Sequence, residues 1–450
     1  MAAPNNLKVV QVSRVGPPPG SVADAVLPLT FSDVYMPQIP PVDRLFFYQF
    51  PRDPAFTTTH FIDTLLPKIK HSLSLALQPF FPLAGNLVLS PTTGEDEIRY
   101  VDGDTVCVTI SESEADFHRL SANGPREIAE LSPLIPRLLI PGSQRQPLLA
   151  VQVTVFPESG ICLGTSVHHV VADGTSSIHF MKSWASICRL GAENSSHISA
   201  PSHDRSVLAH LDGLKRLILE QMGSIKIDHI AKSIKPPGNM ELATLVMRRA
   251  DIEKLRQRVV AQQAEDGRKP LRCSSFVLTC AYVWACQARS YIDSGKDKTI
   301  YFGFGVNARE RLDPPIPSAY FGNCLATCFV HAKGSELAAE DGLRKAIQLI
   351  GGAIQELDDD GVLKDAEDWL PRVAVMANQR TLLTAGSPKF GVYETDFGWG
   401  RPIKVEIVSV GNTAGMSLAE SRDEEGGIEV GVALPSSEME RFSYLFEKGL

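Results

Sequence analysis

Two stretches of this chain concentrate residues able to do chemistry. The first is Ser166-Val167-His168-His169-Val170-Val171-Ala172-Asp173-Gly174. Its surroundings predict a strand giving way to a helix. A histidine held at a strand end beside a cleft is a natural general base, because its unperturbed pKa of about 6.5 lies near working pH. His169 and Asp173 are four residues apart but straddle that turn, so helical pairing is not assumed. Gly174 would let the chain turn sharply after the Asp. A metal site made of His168, His169 and Asp173 is a weaker reading, since the sequence offers no separate third-ligand cluster. The bland alternative is a pair of satisfied core histidines. The second stretch is Asp396-Phe397-Gly398-Trp399-Gly400, followed by Arg401-Pro402. Two glycines around a Trp suggest a loop whose backbone packs closely, at its simplest a tight turn with a buried aromatic.

Two other chemistries fail specific tests. A nucleophile elbow needs Gly-x-Ser-x-Gly, and Gly164-Thr165-Ser166-Val167-His168 lacks the second glycine. Gly303-Phe304-Gly305 has no third glycine at phosphate-loop spacing and opens no helix.

The elements that must position these residues alternate between strand and helix patterns. Leu148 to Phe156 alternates, turns at Pro157-Glu158-Ser159-Gly160, and continues as Ile161 to His168, which predicts a hairpin. A helix is expected from Thr175, with Ile178, Met181, Trp184, Ala185 and Cys188 on one face and Gly191 ending it. Other expected strands are Leu27 to Phe31, Leu87 to Leu89, Ile98 to Val101, Val106 to Ile110, Thr299 to Val306, Ile403 to Val410, Met416 to Glu420 and Ile428 to Leu434. Helices are expected over Phe61 to Leu77, Asp251 to Glu265, Ser274 to Arg289 and Glu336 to Leu357. The polar stretch Gly191 to Arg205 marks a linker, and no fixed-period repeat is evident. The expected division is 1–195, a crossover 196–225, and 226–450, an α/β pair of similar size.

Composition narrows the function classes. The 450 residues are 44% apolar and 21% charged, with a net charge of −8, which is ordinary globular usage with no basic stripe for nucleic acid. Phe276 to Cys286 is too short to span a bilayer and reads as buried core. The eight cysteines form no Cys-x-x-Cys pair and sit among apolar neighbours, as reduced core thiols do. MAAPNNLKVV has neither the charged region nor the apolar run of a signal peptide, so cytosol is the expected compartment and the acceptor triplet at Asn194 reads as chance.

The pair His169-x-x-x-Asp173-Gly174 and Asp396-Phe397-Gly398-Trp399-Gly400, in that order, resembles the signature of the plant BAHD acyltransferase family. Leu29-Thr30-Phe31-Ser32-Asp33, Phe80 to Gly85, Ser274-Ser275-Phe276 and Asn307-Ala308-Arg309-Glu310-Arg311 extend the likeness along essentially the whole chain. Tyr320-Phe321-Gly322-Asn323-Cys324 resembles the motif of the branch that acylates anthocyanins and other phenolic glycosides.

The resemblance implies two chloramphenicol-acetyltransferase-like domains, each a mixed sheet with helices, with an active-site channel at their interface. It implies acyl transfer from an acyl-CoA co-substrate to an acceptor hydroxyl, with no bound cofactor, no metal, no acyl-enzyme and a monomeric chain. By position, His169 is the general base and Trp399 an oxyanion donor. Asp173 would point away from substrate and pair with Arg309 of the other domain. Gly174, Asp396, Gly398 and Gly400 would support the site, and Ser274, Ser275 and Asp33 are candidate contacts in the coenzyme A and substrate channel. Malonyl transfer favours a cation near the acyl pocket. Ser177 stands where some malonyl-transferring relatives carry an Arg, leaving Arg401 or His179 as substitutes. Malonyl is placed slightly ahead of hydroxycinnamoyl as donor. The alternatives are a hydroxycinnamoyl transferase acting on a non-glycoside alcohol and a thioesterase using the same His.

Overall fold

Alternating apolar strands and one-sided helices assemble here into two large mixed sheets, each backed by helices. The computed structural model describes residues 7–50, 54–90, 94–193, 199–225, 239–266, 272–291, 297–376 and 379–450. The six-stranded sheet runs Leu7–Val15, Val106–Ser113, Leu149–Phe156, Gly160–Val167, Val42–Gln49 and Lys404–Ile407. The seven-stranded sheet runs Leu325–Lys333, Thr299–Asn307, Arg380–Gly386, Met416–Glu420, Ile428–Pro435, Met240–Met247 and Arg126–Glu127. A smaller four-stranded sheet contains Ala25–Pro28, Asp96–Tyr100, Asn86–Leu89 and Arg145–Pro147.

The strand Val42–Gln49 shows how the layers are made. Its side chains alternate between faces, as the twofold period of a strand requires. Phe46 and Tyr48 enter a core shared with Leu73, Trp184 and Phe397. Leu45 and Phe47 enter a second one with Leu242 of the other sheet. The far core is organised by the Ser275–Tyr291 helix, which is apolar around nearly its whole circumference and therefore buried, with Trp284 against Phe302.

Each large sheet takes one strand from the other half of the sequence. Lys404–Ile407 pairs antiparallel with Val42–Gln49, and Arg126–Glu127 pairs with Met240–Met247. The exchange explains why Ile403 to Val410 reads well as a strand but departs from expectation. Only Lys404–Ile407 is extended, it closes the first sheet, and Val408–Thr413 coils into a 3-10 turn. Leu27 to Phe31 is also shorter than expected, since the strand ends at Pro28 and the chain turns beneath the core. The expected 336–357 helix is broken into Gly334–Ala338 and Gly342–Asp359, and the tight junction needs Gly342, where an added Cβ would stand 2.0 Å from the Leu337 carbonyl. Within the expected crossover, Arg205–Leu211 and Asp212–Ile225 are helical, while 196–198 and the Asn194 triplet lie outside the described residues.

A buried charge network ties the exchanged strands. Arg126 donates to Glu406 at 2.7 Å, Lys404 lies 3.4 Å from Glu406 and 3.5 Å from Glu429, and Thr244 donates to Glu406 at 2.9 Å. Glu406 is 2% exposed, so removing it strands Arg126 in a dry interior. Glu406→Leu should lower unfolding stability by about 3–5 kcal/mol in denaturant titration. A loss within ordinary surface-mutation scatter would mean that the network does not hold the strands.

Candidate active site

The hairpin Leu149–Phe156 and Gly160–Val167 delivers His168 and His169 to the end of the central strand. The helix Gly174–Leu190 begins immediately after. Asp173 caps that helix, its Oδ1 accepting from the Ser176 amide at 2.9 Å. The predicted face is buried, and Gly191 ends the helix at φ +83°. Gly174 is required for a different reason than a sharp turn. Its φ is ordinary, but a Cβ there would stand 2.6 Å from the Phe390 ring.

The second carboxylate oxygen of Asp173 accepts from Arg309 Nη1 at 2.7 Å, and both side chains are almost fully buried. Arg309 spends its remaining donors on the Ser176 hydroxyl, the Gly322 and Tyr320 carbonyls and Asn307 Oδ1. Cys324 N–H donates to Asp173 at 3.2 Å. The Asp173 carboxylate is thus committed to a helix cap, a guanidinium and an amide.

Asn323, which the sequence offered only inside a family motif, pins the histidine loop directly. Its Nδ2 donates to the His169 carbonyl at 2.9 Å, the Val170 carbonyl at 3.1 Å and Asp33 Oδ1 at 2.9 Å. Asp33 is fully buried and also accepts from Thr30, with Arg205 3.6 Å away, so it braces this loop.

His169 faces a cavity of about 760 Å³ between the sheets, whose wall also includes Gly174, Thr384 and Phe390. Nδ1 of His169 has no hydrogen-bond partner, and neither has Thr384 Oγ1. Burial pulls the imidazole below its ordinary 6.5, opposed by the backbone, Asp173 and Asn323. His168 lies outside the cavity wall, accepts from the Val170 amide at 3.3 Å, and is pulled down to about 4 by burial and by His169. Among the described residues, no group of three His, Cys, Asp or Glu side chains could hold a metal ion.

The glycine loop lies elsewhere. Asp396 Oδ1 accepts from Gly398 and Gly400, both in the left-handed region, and its Oδ2 takes Arg189 from the last turn of the Gly174–Leu190 helix at 3.3 Å. Trp399 donates its indole N–H to the Phe397 carbonyl at 2.8 Å and packs between Tyr48 and Phe50. It does not line the His169 cavity. Ser274 caps the Ser275–Tyr291 helix through the Val277 amide, and Ser275 accepts from Arg256. Neither borders the cavity. Arg401 donates to the Tyr393 carbonyl and His179 meets the Ser199 carbonyl, so the two basic residues offered as acyl-pocket cations are engaged elsewhere.

A general base must be neutral to act, so if His169 serves as one, its depressed pKa should move the acid limb of kcat/KM to a midpoint below 6.5. An initial-rate pH profile with a midpoint above the free-histidine value would contradict this environment. Asp173→Ala and Arg309→Ala should each cost about 3–5 kcal/mol. The double variant should lose less than their sum, because removing a stranded partner relieves its desolvation. Strictly additive melts, or an Asp173→Asn variant that melts normally yet loses most turnover, would make Asp173 catalytic.

A family model described as the Transferase family matches residues 9–448. The chain is 36% identical to the malonyl-coenzyme A:anthocyanin 3-O-glucoside-6''-O-malonyltransferase of Dahlia pinnata, over 99% of this chain and 98% of that protein. It is also 36% identical to phenolic glucoside malonyltransferase 2 of Arabidopsis thaliana, over 99% of each. Identity is 34% to an Arabidopsis thaliana coumaroyl-CoA:anthocyanidin 3-O-glucoside-6''-O-coumaroyltransferase, over 98% of this chain and 97% of that one. In fold it is similar to vinorine synthase, with TM-score 0.69 at 20% identity over 97% of this chain and 96% of the other. The chain belongs to this transferase family, the BAHD acyl-CoA-dependent acyltransferases.

Proposed function

We propose that this enzyme transfers an acyl group from acyl-CoA to a sugar hydroxyl of a flavonoid, anthocyanin or other phenolic glucoside, with malonyl placed narrowly ahead of hydroxycinnamoyl. The observation that carries this reading is a neutral, buried imidazole on a cavity large enough for an acyl group and a sugar. The names of the relatives, malonyl- and coumaroyl-transferases of phenolic glucosides, supply the substrate class.

In this mechanism His169 takes the proton of the sugar hydroxyl as its oxygen attacks the thioester carbonyl. The tetrahedral intermediate collapses by breaking the C–S bond. The coenzyme A thiolate leaves and recovers the proton from His169, so the ester forms with no acyl-enzyme. The oxyanion needs a donor aimed at its final position. Thr384, with a buried hydroxyl free of other partners on the cavity wall, is proposed for that in place of Trp399. Ser274 and Ser275, at a helix N-terminus whose free amides suit phosphate, remain proposed contacts for the coenzyme A end. The proposed domain division at 195 and 226 leaves one strand of each half in the other half's sheet.

His169→Ala should melt near the wild-type temperature and lose on the order of 10²–10⁴-fold in acyl transfer. Near-normal turnover would remove His169 from the chemistry. A mass-detected screen of malonyl, coumaroyl, caffeoyl and acetyl thioesters against flavonoid glucosides should yield acylated glucoside. Thioester loss at an equal rate without acceptor would make the enzyme a thioesterase. Products only with aglycone alcohols would move the acceptor off the sugar.

A further inference from the structure

Arg44 lies on the central strand Val42–Gln49, which borders the strand that delivers His169. Its side chain enters the same cavity wall as His169, and the residue is only 4% exposed. It is the one formally charged side chain among the described residues that line the cavity, with no acidic group on the wall. Nε has no hydrogen-bond partner, and no carboxylate among the described residues lies within ion-pair distance of the guanidinium. Glu420 is near enough to favour its charged form, yet burial still brings Arg44 down to about 10, so it is cationic at neutral pH. Glu420 itself uses one oxygen on the Tyr393 amide, the other being buried and unpaired, and burial raises its pKa.

A buried cation without a partner is strongly unfavourable, and elsewhere among the described residues buried cations are paired, as Arg126 with Glu406, Arg309 with Asp173 and Lys404 with Glu406. The exception faces the reaction cavity. We propose that Arg44 binds the free carboxylate of a dicarboxylic acyl group such as malonyl, while the thioester carbon of that group lies at His169. The inference rests on the acyl-transfer reading above. A guanidinium fork suits a carboxylate by paired N–H donors, which a neutral acetyl or a phenolic hydroxycinnamoyl end cannot match. A phenolic glucoside is itself neutral, so the acyl end supplies the carboxylate of this transfer. The phosphates of coenzyme A hang a pantetheine arm away from the thioester.

The test compares donors within one enzyme, so that any general damage cancels. For wild type, Arg44→Gln and Arg44→Lys, kcat/KM is measured with malonyl-CoA and acetyl-CoA against one flavonoid glucoside. The malonyl-to-acetyl ratio should fall on the order of 10²-fold in Arg44→Gln, the scale for removing a desolvated charge partner. Arg44→Lys should recover part of the ratio. A ratio unchanged in Arg44→Gln would overturn the inference and make Arg44 a counter-charge for Glu420. Wild-type turnover of coumaroyl-CoA with none of malonyl-CoA would overturn it and leave acyl transfer standing. A second arm replaces the glucoside by a glucuronide. If Arg44→Gln alters the glucuronide-to-glucoside ratio and not the donor ratio, the carboxylate belongs to the acceptor and the donor assignment falls. If no thioester is turned over, the acyl-transfer reading fails, and calorimetric affinities of malonyl-CoA and acetyl-CoA for the same proteins still read the Arg44 preference.

Discussion

The buried contact between Asp173 and Arg309 is the constraint on which the rest of the site depends. It joins the start of the helix that follows the first sheet to the segment that leaves the second. Such a pair adds little net stability, because two desolvated charges cost nearly what their attraction returns. Its effect is on geometry. Arg309 satisfies a carboxylate, a hydroxyl and two carbonyls at once, so the 168–176 loop and the 320–324 loop have one relative placement in which every donor is matched.

The same helix connects the two sequence signatures. Asp173 caps its first turn, and Arg189 in its last turn reaches Asp396 of the glycine loop. Trp184 in the middle packs edge-on against Phe397. The glycine loop thus fixes the far end of the element whose near end carries the histidine loop. Asn323 adds a third tether by holding the His169 and Val170 carbonyls, while Nδ1 of the imidazole has no hydrogen-bond partner.

The hairpin, the Asp-capped helix and the buried 275–291 helix were legible in sequence because their signals are local: a twofold or 3.6-residue period bounded by a turn residue or a cap. The strand expected at Ile403 to Val410 exists at Lys404–Ile407, but its partner lies more than three hundred residues away, and pairing at that range leaves no local mark. Gly174 was found for the wrong reason, since the Phe390 ring that forbids a Cβ is distant in sequence. Trp399 drew its expected role from resemblance, and only the structure shows its N–H already donated to Phe397. Arg44 carried no signal, since a lone Arg in Val-Asp-Arg-Leu-Phe reads like one on a solvated strand face until the cavity is seen.

Amide exchange read beside turnover tests the account most directly, using Arg309→Lys. Lysine keeps the charge and loses the planar fork, so it can hold Asp173 but not Ser176 and the two carbonyls together. Exchange should quicken in 168–176 and 320–325, with other core segments unchanged, and acyl transfer should fall in step. Lost transfer with exchange unaltered in both loops would contradict the account, because Arg309 would then act on the chemistry and not on the placement of the histidine.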